Sequence, residues 1–143
     1  IAGTAAHAIQ VPMACVEHGI DCDFFMKTFH HDNYWSAHAR ENRSEYMHDL
    51  QYDLLDRNQF HDNLWCASAS EVRDFFLSCQ TPWIAYKVLA AGAISPNDGF
   101  TYAFENGADF ICVGMFDFQV IPNANTVTEV LNSSMDRKRS WLG

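Results

Sequence analysis

The sequence predicts an α/β fold built on a parallel sheet, and three stretches carry that prediction. Asp23 to His30, Pro82 to Ala91 and Ala108 to Phe118 are mostly apolar and aromatic, with Lys27 and Lys87 as the basic interruptions of the first two. Gly92 closes the second run and Gly114 breaks the third. Runs this continuous suit strands buried on both faces, the usual state of a parallel sheet. Between the second and third runs, Ser95-Pro96-Asn97-Asp98 is a helix start, with proline and an acid in the first turn. Phe100, Ala103 and Phe104 make its apolar stripe, and Asn106-Gly107 ends it. Two strands joined through a helix run parallel, with a right-handed crossover.

The other elements follow in chain order. Residues 2–18 are alanine-rich with apolar positions at helical spacing, which predicts two short helical pieces. Pro12 starts the second, and Gly19 caps it after His18. In the strand from Asp23, alternation puts Phe25, Lys27, Phe29 and His31 on one face and Phe24, Met26, Thr28 and His30 on the other. Its C-terminal end reads His30-His31-Asp32-Asn33-Tyr34-Trp35, dense in polar, ligand-capable and aromatic side chains. A turn built by Asp and Asn under an aromatic lid is the plain reading of such a loop. Two adjacent histidines beside an acid also suit a site.

Ser36 to Phe60 is the longest polar stretch and reads as an excursion over one end of the fold, a lid or binding segment or else solvated filler. After it the pattern H-D-N-x-W, first seen at His31 to Trp35, recurs at His61 to Trp65. No other similarity joins the two segments. A short strand is expected near 63–67. Ser68 or Ser70 followed by Glu71 starts a helix with Val72, Phe75, Phe76 and Cys79 on its buried side. A terminal helix is expected from Thr126 to Met135. The polar tail after it ends in Trp141-Leu142, suited to docking on a partner or on further chain.

A strand ending in Ala-Gly-Ala-Ile, a helix, then Gly-Ala-Asp, four residues and glycine resembles strands seven and eight of a phosphate-binding (β/α)8 barrel. The resemblance covers about the last half of the chain. It implies that the turns after these strands aim backbone N–H groups at a phosphate. The matching positions are Gly92 and Ala93 in the first turn, and Gly114 and Met115 in the second. Ala93 stands where a second glycine is common, and Met115-Phe116-Asp117-Phe118 is bulkier and more acidic than the usual small residues. The wider chain also resembles uncharacterised bacterial barrel proteins, which implies no activity.

A full barrel of this kind needs about 200 to 250 residues, and the chain has 143, beginning at Ile1. Three readings fit: the C-terminal half of a larger barrel, a half-barrel that pairs with another copy, or a different small α/β fold. All treat 1–143 as one α/β domain. A half-barrel leaves parallel edges open, so the expected partner is either a missing N-terminal half or a homo-oligomer.

Composition is that of a globular domain, 48% hydrophobic and 14% aromatic. A net charge of −9 argues against nucleic acid. Arg137-Lys138-Arg139 is the one basic cluster, and it suits a helix C-terminus better than a ligand. No apolar run reaches membrane-spanning length, and no signal peptide is evident. Five scattered cysteines without a CxxC pair read as free thiols in a reducing compartment, and so as a cytoplasmic protein.

An ammonium in an apolar strand is costly. Lys27 and Lys87 are therefore expected to pair with a carboxylate such as Asp109 or Asp117, or to have lowered pKa values suited to Schiff-base or general-base work. An interior ion pair is the better reading for Lys27, whereas Lys87 lies in the strand that ends at Gly92. The favoured function is a lyase, aldolase or isomerase acting on a small anionic or polyhydroxylated carbonyl substrate. Lys87, His31, Asp32, His61 and Asp62 are its catalytic candidates, with Gly92, Ala93, Gly114 and Met115 holding the anion. His31 and His61 could instead ligate a divalent metal. The alternatives are an oxidoreductase holding a flavin or other phosphate cofactor in the same turns, and a non-catalytic barrel remnant with a role in assembly.

Overall fold

A computed structural model describes residues 1–37 and 66–142. Four short strands form one sheet: β1 (Gly3–Ala6), β2 (Phe24–Thr28), β3 (Trp83–Tyr86) and β4 (Phe110–Cys112). All neighbours are parallel, and the spatial order is the chain order, β1-β2-β3-β4. Helix α1 (Gln10–Glu17) connects the first two strands. Helix α2 (Ala69–Ser78) leads into β3, and α3 (Pro96–Glu105) connects the last two strands. Helix α4 (Val120–Asn132) follows β4 after a 3-10 turn at Asp117–Gln119. No helix among the described residues is long and apolar enough to cross a membrane.

Strand β1 is a correction, since Gly3 to Ala6 falls in the stretch read as helical. Alanine favours helix, but four residues are too few to hold one without tertiary support. Pairing with β2, Thr4 beside Phe25 and Ala6 beside Lys27, decides their conformation. The helix after it is real, with His18 at its C-cap and Gly19 left-handed at φ +63°. The second run is also shorter than expected. It leaves the sheet at Tyr86; Lys87 adopts positive φ (58°) just after it, and Ala90 and Ala91 do so (44° and 56°) within the 3-10 turn at Ala90–Gly92. The third run is a strand only over Phe110–Cys112. The expected strand near 63–67 lies outside the described residues at 63–65, and Cys66 and Ala67 are not strand. The last helix begins earlier than expected, and Pro122 is accommodated in its first turn.

Alternation along the strands separates the two faces of the sheet. Phe25, Lys27, Trp83 and Ala85 are buried on one face. Phe76 of α2 stacks on Trp83 at 4.3 Å and tilts against Phe25 at 6.2 Å, and Tyr102 of α3 stacks on Phe29 at 5.0 Å. Thr4 on the same face meets Cys15 of α1. The helices that connect the strands thus pack on one side. The other face carries Phe24, Met26, Ile84 and Tyr86, partly exposed, with Phe110 and Cys112 exposed. Helix starts follow the sequence. Ser68 Oγ accepts from Glu71 N, and Ser95 Oγ accepts from Asp98 N.

At the start of β4 the buried Asp109 closes the N-terminal end of the sheet. Its carboxylate accepts from Trp83 N (2.9 Å), Leu142 N (2.8 Å), Arg137 Nη2 (3.0 Å) and Arg139 Nη1 (3.0 Å). The two guanidinium groups also donate to the carbonyls that end α3 and the loop beyond it: Arg137 to Phe104 and Ala108, Arg139 to Gly107. The basic cluster does serve a helix C-terminus, that of α3. Arg137 also lies 3.6 Å from the centre of the Trp141 ring. The C-terminal tail therefore docks on its own chain through these contacts. Asp109, committed to two arginines, is not the counter-ion of either lysine.

Candidate functional site

Parallel strands point their C-terminal ends at one edge, where the connecting turns can gather side chains. At that edge the turn after β3 and the turn after β4 enclose a groove of about 710 Å³. Lys87, Gly92, Ser95, Gly114, Met115 and Asn123 are among its lining residues. Close packing sets one wall. A Cβ on Gly99 of α3 would lie 2.7 Å from Val88 O and 2.8 Å from Leu89 Cδ2, so glycine lets α3 meet the β3 turn. Asn123 Nδ2 of α4 donates to Met115 Sδ at 3.5 Å, which fixes the opposite side.

Sequence reasoning placed Gly92, Ala93, Gly114 and Met115 at an anion. Three of the four line the groove, and Ala93 does not. The first turn spends its amides internally: Gly92 N and Ile94 N both donate to Leu89 O (2.8 and 3.0 Å), and Ala93 N donates to Ala90 O (3.1 Å). In the second turn, the amides of Gly114 and Met115 take no part in any hydrogen bond among the described residues. Among the described residues, Lys87 is the one titratable side chain lining the groove. Burial lowers its pKa.

The β2 loop is a separate cluster. His31 Nδ1 accepts from Asn33 N at 3.2 Å, and its ring meets Tyr102 edge-on at 5.3 Å. Burial raises the Tyr102 pKa, and the charges of Cys66 and Asp32 act in the same direction. His31 and Asp32 are not among the groove-lining residues. His30 is buried, with Nδ1 2.8 Å from His31 O. His61 and Asp62 lie outside the described residues, as does the second H-D-N-x-W segment. Among the described residues, no three His, Cys, Asp or Glu side chains come together as a metal site.

The perturbed lysine that sequence reasoning left out of the site is Lys27. It is buried at 1% exposure, and its ammonium donates to Thr28 O (2.8 Å) and Thr28 Oγ1 (2.7 Å). Thr28 Oγ1 in turn donates to His7 O at 3.2 Å. Burial pushes its pKa down to about 8, against the opposing pull of Cys66 and Glu71. The signal was present in the sequence as a lysine amid apolar strand residues. What could not be read was that no carboxylate among the described residues pairs with it. Comparison of the chain with protein-family models, with curated proteins and with solved structures finds no match.

Proposed function

We propose that this chain is part of a (β/α)8-type barrel enzyme acting on a small anionic carbonyl compound, by lyase, aldolase or isomerase chemistry. A sheet whose parallel strands advance in chain order, with their connecting helices on one face, supports the barrel reading. A doubly wound sheet reverses its strand order and carries helices on both faces. The observation that supports the functional reading is the groove, whose lining includes Lys87 together with Gly114 and Met115, two residues whose amides make no hydrogen bond among the described residues.

In this reading the second turn holds the anionic group of the substrate, and Lys87 meets its carbonyl. The lowered pKa raises the fraction of neutral amine near neutral pH. The amine nitrogen attacks the carbonyl carbon, and loss of water leaves a protonated imine. That cation accepts the electron pair released when an adjacent C–C or C–H bond breaks, and hydrolysis returns the lysine. His31 and Asp32 would reach such a substrate only from the neighbouring β2 loop.

Borohydride reduction in the presence of phosphorylated aldehydes and ketones should leave a stable adduct that peptide mapping places on Lys87. Lys87→Met should lose it. An undiminished adduct in that variant, or none in the wild-type chain across the substrate panel, overturns the reading. The same barrel reading requires cover for the outer edges of β1 and β4, each paired on one side among the described residues. A second copy or further chain would supply it, and sedimentation of the protein tests for the copy.

A further inference from the structure

Two of the five thiols converge on one hydroxyl. Thr4 Oγ1, on the helix-covered face of β1, lies 3.8 Å from Cys15 Sγ and 3.4 Å from Cys22 Sγ. The convergence is produced by how α1 ends. Gly19 N donates to Val16 O (3.2 Å) and Ile20 N to Cys15 O (2.8 Å), the paired bonds of a glycine-terminated helix. With Gly19 left-handed, the chain doubles back and carries Cys22 past the side of the helix that holds Cys15. Sulfurs that share one oxygen neighbour lie within about 7 Å of each other, and rotation of two short side chains can close much of the gap to a bond of about 2 Å. Their exposures differ in a useful way: Cys15 is buried and Cys22 is partly exposed.

We propose that Cys15 and Cys22 form a reversible thiol pair that closes to a disulfide on meeting a small-molecule disulfide such as oxidised glutathione. The accessible Cys22, as thiolate, attacks one sulfur of the oxidant. The oxidant's S–S bond breaks, and one glutathione leaves, taking up a proton. Cys15, deprotonated in its turn, then attacks the Cys22 sulfur and displaces the second glutathione. Two protein thiols are oxidised to one S–S bond, and one small disulfide is reduced to two thiols. Burial of Cys15 does not hinder this second step, because its target is already alongside. The bond would tie the end of α1 to the start of β2.

The experiment treats the whole chain with oxidised glutathione, blocks remaining thiols with iodoacetamide, and reads the tryptic peptide 1–27, which contains both cysteines and no other. The expected product carries neither label nor glutathione and is lighter by about 2 Da than the reduced peptide. Exposed Cys112 becomes glutathionylated in the same sample and reports that the oxidant acted. Cys15→Ser should stop at the mixed disulfide on Cys22. The preference for closure should fall when the wild-type chain is unfolded in urea before oxidation. The proposal is overturned if folded wild-type protein keeps glutathione on Cys22, or leaves both thiols alkylated, while Cys112 is modified.

Discussion

The two ends of the sheet are built on opposite electrostatic plans. At the N-terminal end, Asp109 is matched by two guanidinium groups and two backbone amides, and the arginines go on to saturate the carbonyls around it. At the C-terminal end, Lys27 sits buried and donates to two oxygens of Thr28, and Lys87 stands in a left-handed turn at the groove. One end answers its buried carboxylate with opposite charge. The other holds cations that the surroundings push toward neutrality. In the barrel reading proposed above, the first end would serve stability and the second chemistry.

Removing the carboxylate should disturb this contrast most. Asp109→Ala leaves two buried guanidinium groups without a counter-charge, and should cost about 3–5 kcal/mol in urea unfolding. A loss under about 1 kcal/mol would show that the N-terminal end is not held by charge.

Lys27 should behave in the opposite sense. Its pKa is about 8 in the folded chain, against the ordinary lysine value of 10.5 in the unfolded one. Between those limits the unfolded chain binds more protons, so the contribution of Lys27 to stability rises with pH and is least favourable below pH 8. Over the full window the change is about 3 kcal/mol. Lys27→Met removes the titration, so wild type should gain stability relative to the variant from pH 8 to pH 10. A difference that is flat in pH contradicts the buried-ammonium account.

A smaller effect bears on the groove alone. Gly99→Ala forces α3 away from Val88 and Leu89, at about 1–3 kcal/mol. The displacement should weaken whatever binds in the groove more than it disturbs the Asp109 end. Equal disturbance of both, read by amide exchange, would mean that the two ends are not independent.

Much of this scaffold is legible locally. Ser68 with Glu71 and Ser95 with Asp98 are caps that lie within one turn, and Gly19 and Gly107 mark helix stops at positive φ by their chemistry. The exit of β3 is not legible, because the residues that turn left-handed there are a lysine and two alanines, where glycine is the usual signal. Strand β1 is hidden for a different reason: its conformation is imposed by β2, whose partner residues lie 21 positions downstream, as Gly3 and Phe24 do. Asp109 reads in sequence as a free carboxylate for a lysine, since nothing local announces arginines 28 and 30 residues downstream. For the site, the two glycine turns were visible and their meeting with Lys87 followed from parallel order. That one turn would consume its own amides was not visible.

If ligand chemistry belongs to the C-terminal end of the strands, amide chemical shifts recorded during titration with inorganic phosphate will locate it there. Saturable shifts centred on Gly114, Met115 and Lys87 are expected, with the amides of Trp83 and Leu142 beside Asp109 unmoved. Shifts concentrated at the Asp109 end, or no shift in the groove at any concentration that leaves the fold intact, would contradict that assignment.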